Sequence, residues 1–438
     1  MKMKKSILLG AAALAAIALA APQAADAGET KIGGYYQFRT VTMDNTPGDV
    51  AGDENANYWA QRLQLNVDMK ASEKSHAHLV TRVLNNNTVG GADVTLAGDW
   101  TVNQLWLETE AWNVGLKVGN MPIALNDGLL FNHDTTSYGT ILLAKNFGGV
   151  TVVGANVKVA EGSDNVAPAL VPAVTGPNAN HQDVDFWVLS ALGKYSNVDY
   201  QITAAYLNSE SRVGGVPYGA ANGTGVINNA TDSITDGWIA LTLGGKVENV
   251  DLTGTLIYET GMDNVTNNSQ LDSDGFMAAL RAKGKTGFGG WNGYVFYGAE
   301  DFTAAVPGGD RTFWSPTWDQ GGAGAQDLMQ RALVAPNGGV ASTQSNMWGV
   351  GAGLTINAGA WTIKPSLDYA SLVEEVVTTA PAAVVYDSAM GGTIGFTTKI
   401  QEGTMLDLSG TFVDPNARVG GTSEEVMHYV QASVKMDF

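Results

Sequence analysis

Few residue combinations in this chain have the types and spacing for chemistry, and most fall short of a site. His76 and His78 share one face of an extended segment, the spacing of a chelating pair, but no third ligand accompanies them and no metal is expected. His133 beside Asp134 is the best-placed base among five histidines, His76, His78, His133, His181 and His428. Such a pair is short of a nucleophile–base–orienter constellation, so an enzyme is not expected. Gly284-Lys285-Thr286 matches the end of a phosphate-binding loop, yet the glycine required five residues earlier is Ala279. Gly349, Gly351 and Gly353 echo a dinucleotide fingerprint, but they alternate with Trp348, Val350, Ala352 and Leu354, and no helix follows. They read as a glycine-lined stretch of wall with room for a packed loop. No cofactor is expected. Arg39, Arg62 and Arg82 differ: each carries a permanent charge and a planar fork for carboxylates or phosphates.

The elements that hold these residues begin after an export signal. Lys2, Lys4 and Lys5 precede an apolar run from Ile7 to Ala21, and Ala25-Asp26-Ala27 offers a small-residue cleavage site. Residues 1–27 are therefore expected to be a signal peptide and 28–438 the mature chain. Removing Lys2, Lys4, Lys5 and Asp26 from 24 basic and 43 acidic residues leaves 21 and 42, a mature charge of −21. That balance excludes nucleic acid as a partner. The absence of cysteine excludes disulfide scaffolds and thiolate metal sites. Beyond the signal no segment holds 18 consecutive apolar residues, so helical membrane spans are not expected.

Alternation with period two runs down the mature chain. In Tyr429–Phe438 the even positions Val430, Ala432, Val434, Met436 and Phe438 are apolar, and the odd positions are mostly polar. Similar runs recur, from 31–41 to 425–438, and eighteen candidate strands are predicted, sixteen being the alternative. Links after even-numbered strands are short, as at Trp112-Asn113 and Ala358-Gly359, whereas links after odd-numbered strands are long. A transmembrane antiparallel up-and-down β-barrel segregates its connections in this way, with short periplasmic turns and long extracellular loops. Trp112, Tyr195, Trp291, Trp361 and Phe438 fall at the short-turn end, and Tyr206, Tyr258, Tyr369 and Phe412 at the other, as two aromatic girdles. Lysines and arginines in the strands, Lys158 and Arg281 included, are assigned to the lumen face, since one facing lipid at the midplane costs about 2–4 kcal/mol. Arg39, Arg62 and Arg82 on three neighbouring strands then form a basic ladder at similar height.

Taken together, these features resemble the outer-membrane porins of Gram-negative bacteria over the whole mature chain, as architecture. Phe438, ending the last strand, resembles the signal read by the barrel-insertion machinery; porins commonly carry a second aromatic where Met436 stands. The resemblance implies a passive channel for small hydrophilic solutes or ions in the outer membrane, in contact with lipid and lipopolysaccharide, and a homotrimer. It also implies that the loop after the fifth strand, 122–137, folds inward and sets Asp127 and Asp134, with Glu108 and Glu110 on the neighbouring strand, against Arg39, Arg62 and Arg82. The long 301–344 segment is a rival constriction. Glu374-Glu375 and Glu424-Glu425 read as solvated loop faces or as cation bridges to lipopolysaccharide. Two other readings stay open: a barrel that sheathes a partner such as an electron-transfer cytochrome, and an outer-membrane hydrolase.

Overall fold

The structure, a computed structural model, describes residues 28–44, 56–89, 101–160, 184–209, 233–265, 268–272, 274–299, 302, 347–373, 385–419 and 426–438. The signal at 1–27, most of 301–344 and both Glu-Glu pairs lie outside them. The wall begins with β1 (Thr30–Asp44), β2 (Ala56–Ser72), β3 (Ser75–Val89), β4 (Thr101–Ala111), β5 (Val114–Leu125) and β6 (Phe131–Phe147). It continues through β7 (Val150–Ala160), β8 (Val184–Tyr195), β9 (Val198–Ser209), β10 (Ser233–Val247) and β11 (Val250–Val265). Beyond the short β12 (Asn268–Asp272) come β13 (Gly275–Thr286), β14 (Gly289–Gly298), β15 (Met347–Ala358) and β16 (Trp361–Leu372). β17 (Val385–Gln401), β18 (Thr404–Val419) and β19 (Met427–Asp437) complete it.

β12 pairs with the upper end of β11, while β11 and β13 pair directly from Val250↔Gly284 to Glu259↔Gly275, so eighteen strands make the wall. β19 then pairs with β1 from Tyr35↔Asp437 to Asp44↔His428 and closes it. An even number of alternating strands lets the first and last meet antiparallel. Closure also leaves the eighteen-strand wall with no free sheet edge, the condition for a sheet to stand in hydrocarbon. Two-residue turns cluster at one end, and Gly148-Gly149 and Gly287-Phe288 add to those read from the sequence. At Trp112 (φ 54°) and Asn113 (φ 59°) both central residues are left-handed, the type I′ geometry that matches strand twist. The Trp112 side chain stands 93% exposed below the wall.

The ladder register assigns faces. Ile239↔Tyr258 and Leu241↔Leu256 point outward, with Trp187, Leu189, Ile202, Val295, Leu367 and Ile394 around the circumference, all exposed. Burying one such side chain in an apolar medium is worth roughly 1.5–3 kcal/mol. A band of this extent has no place on a soluble monomer and fits hydrocarbon. Rings on the band pair at its upper rim: Phe276–Tyr297 at 5.4 Å and Trp348–Tyr369 at 5.3 Å.

Two assignments are corrected. Lys158 faces outward, because Thr140↔Val157 and Val157↔Phe186 put Val157 on the inner face. There Lys158 lies 3.1 Å from Asp185, with Asn156 beside it, at the rim above Trp187. The glycine stretch on β15 makes room for rings of the neighbouring strand rather than for a loop. A Cβ on Gly349 would lie 2.5 Å from Phe296, and one on Gly351 would lie 2.3 Å from Tyr294. Tyr294 uses that space to donate to Asp368 Oδ1 at 2.8 Å.

Candidate functional site

The segment after β5 is not an irregular loop. It is a hairpin arm, in which Ile123↔His133, Ala124↔Asn132 and Leu125↔Phe131 extend the β5–β6 ladder past an irregularity between Met121 and Ile123. Pro122, within that irregularity, read as a strand end. At the tip Asn126 (φ 52°) and Asp127 (φ 60°) are left-handed, and the Gly128 N–H donates to the Leu125 carbonyl at 3.1 Å. Asn and Asp are the side-chain-bearing residues that best tolerate this conformation, which lets the chain turn sharply at the start of the five-residue connection 126–130.

The arm crosses to the inner faces of β8–β13. Phe131 stacks on Phe186 of β8 at 5.1 Å, and Phe186 meets Trp238 of β10 edge-on at 6.1 Å. Leu125, Leu129 and Leu130 join Val157, Val188 and Leu207 in the same buried cluster. Beyond this seam Arg281 of β13 donates one Nη to both oxygens of Asp127, at 2.7 and 2.6 Å. Asn126 Nδ2 donates to Thr242 Oγ1 at 3.2 Å, which lies 3.0 Å from Thr255 Oγ1. Magnitudes divide the work. Four or five buried apolar side chains at roughly 1.5–3 kcal/mol each outweigh a half-exposed charge-assisted contact of about 1.5–3 kcal/mol. The seam docks the arm, and the Asp127–Arg281 pair sets where its tip comes to rest.

Arg39, Arg62 and Arg82 all stand on the inner face, in successive rows. The register Arg39↔Ala60, Gln37↔Arg62 and Gln64↔Arg82 places each one inward position below the last. Arg39 is buried, and Arg82 Nε donates to Gln64 Oε1 at 3.3 Å. This staircase lies on β1–β3, whereas Asp127 is held by β13. Arg281, not the staircase, supplies the cation seen on Asp127, because the apolar seam draws the arm toward β8–β11. Glu108 and Glu110 sit lower on β4, bound by Lys117 at 3.2 Å and Lys74 at 3.0 Å, near the short-turn end. The side chains of 132–137, Asp134 and His133 among them, lie outside the described residues. Phe438 exchanges backbone hydrogen bonds with Gly34 at 3.0 and 3.1 Å, and its ring faces outward.

The residues that sequence reasoning passed over carried a signal. Phe186-Trp187-Val188-Leu189 is apolar at every position, and Trp238-Ile239-Ala240-Leu241 likewise. A wall strand apolar on both faces must pack against protein inside. That criterion locates the arm's dock, though it leaves open which basic residue the tip meets.

No protein-family model matches the chain, and no curated protein matches it in sequence. Solved structures do match in fold. The outer membrane protein OpdK of Pseudomonas aeruginosa superposes with a TM-score of 0.54 at 10% identity, covering 94% of this chain and 98% of that one. A BenF-like porin from Pseudomonas fluorescens Pf-5 gives 0.54 at 9% identity, and OccAB4 of Acinetobacter baumannii 0.54 at 10%, each with the same 94% and 98% coverage. OpdK has also been solved with vanillate. The chain thus shares with these outer-membrane proteins the closed eighteen-stranded antiparallel barrel.

Proposed function

We propose that the mature chain is an outer-membrane porin, a passive diffusion channel for small hydrophilic solutes or ions. The observation that carries this reading is an arm folded into a lipid-banded barrel and pinned across it by Asp127 and Arg281. A barrel that served only as a shell would need no such internal partition. The remaining aperture would be bounded by the tip on one side and by the Arg39–Arg62–Arg82 staircase on the other. Charged walls at close quarters set which solutes pass. Arginine forks favour carboxylates, so small aromatic carboxylates of the kind bound by OpdK are the first substrate class to test.

Within the same proposal, 1–27 is the removed export signal, Phe438 is read by the insertion machinery, and the outward band meets lipid and lipopolysaccharide. A homotrimer is the assembly implied. The test is single-channel recording of the refolded mature chain in planar bilayers, with reversal potentials under a salt gradient. Stable open steps are expected, and a folded barrel that never opens would overturn the reading.

A further inference from the structure

The inner face of β2–β5, near the short-turn end, carries a group of side chains separate from those that hold the arm's tip. His78 of β3 lies face to face with Trp106 of β4, with ring centroids 3.9 Å apart. Lys117 of β5 places its ammonium 4.9 Å from the same indole. On its other side the His78 Nδ1 bonds to Asp68 of β2. His76, one inward position lower, lies parallel to His78 at 6.4 Å, and its Nε2 meets the Glu73 carbonyl at 3.3 Å. Both imidazoles line a recess of about 560 Å³.

The hydrogen-bond partners settle the tautomers. A carboxylate and a carbonyl only accept, so His78 carries its proton on Nδ1 and His76 on Nε2. His78 Nε2 and His76 Nδ1 remain as the positions a second proton would take.

The charges around the two rings nearly cancel. On β1 and the residue before it, Lys31 and Glu29 pair at 3.2 Å. β2 presents Asp68 and Lys70, and the turn presents Glu73 and Lys74. β4 presents Glu108 and Glu110, and β5 presents Lys117. On β3 itself Arg82 stands two inward positions above His78, so five carboxylates meet five cations and the sector is neutral with neutral imidazoles. Two added protons make it +2.

We propose that His76 and His78 set the pH dependence of charge selectivity, shifting this sector of the lumen from near-neutral toward anion-favouring on acidification. The inference rests on the channel reading. Histidine is the side chain that changes charge between roughly pH 8 and pH 5. A gain of two positive charges beside the permeation path alters the field that permeating ions meet.

The experiment is the reversal potential of the mature channel under a KCl gradient, from roughly pH 8 to pH 5, for the parent and for His76→Gln with His78→Gln. The potassium-to-chloride permeability ratio is expected to fall about threefold in the parent and by less than half as much in the double variant. An equal fall in both overturns the inference while open steps keep the channel reading intact. No open steps at any pH overturn the channel reading itself. If the double variant does not refold, His76→Gln alone, whose ring bonds only to a turn carbonyl, is expected to remove about half of the shift. Trp106 emission, isolated by subtracting Trp106→Phe, gives a second readout: it is quenched by protonated His78 in the parent, and a pH-independent signal overturns the inference.

Discussion

Two sectors of one inner wall, β8–β11 and β2–β5, have been put to opposite uses. On β8–β11 the inward positions Phe186, Val188, Leu207, Trp238 and Ile257 are buried and apolar. On β2–β5 the inward positions are Asp68, His78, Glu108 and Lys117, hydrogen-bonded across strands and partly open. Both alternate with outward apolar residues, so lipid cannot be the cause of the difference. It lies in what each wall faces, docked protein in one sector and water in the other.

Removing the dock should break this contrast most strongly. Phe186→Ala with Trp238→Ala deletes two buried rings, each worth about 3–5 kcal/mol. The arm should leave the wall, and open-channel conductance and current noise should rise while the barrel still forms; an unchanged conductance would mean that the arm does not bound the aperture. Next, Ile239→Arg on the outward band should cost about 2–4 kcal/mol in urea unfolding from lipid vesicles. Ser409→Arg on the inner face should stay within about 1 kcal/mol, and equal losses would undo the face assignment. Arg281→Ala and Asp127→Asn each free the tip at about 1.5–3 kcal/mol. A double-mutant cycle on tip fluctuation rates should show that the pair is coupled. Smallest is Lys74→Ala, which removes an exposed pair with Glu110 and should shift stability by under about 1 kcal/mol.

The wall was legible because its cause is local. Alternation such as Val430, Ala432, Val434 and Met436 is visible residue by residue, and turns such as Trp112-Asn113 sit between such runs. Closure with eighteen strands followed from counting them. The arm was legible only in part. The inward fold of 122–137 came from the resemblance, and the apolar Leu129, Leu130 and Phe131 agree with it, but Pro122 disguised its continuity with β5, and the partner of Asp127 depends on where an apolar seam comes to lie. Lys158 misled for a related reason. In Thr151–Lys158 both faces mix small, apolar and polar residues, so the alternation carries no phase, and the neighbour Phe186 decides which face turns inward.

The backbone exchange between Gly34 and Phe438 joins the first strand to the last. A barrel whose ring closes between β1 and β19 cannot finish folding before β19 is in place. Until β19 pairs with β1, the sheet is an open ribbon with two bare edges, each a template for a wrong neighbour. The closing contacts are also the most distant in sequence, the kind that form slowest. A truncation of even the last strand should therefore yield a sticky, open sheet instead of a slightly smaller pore. The β1–β19 seam thus acts as a check that every strand between them is in place.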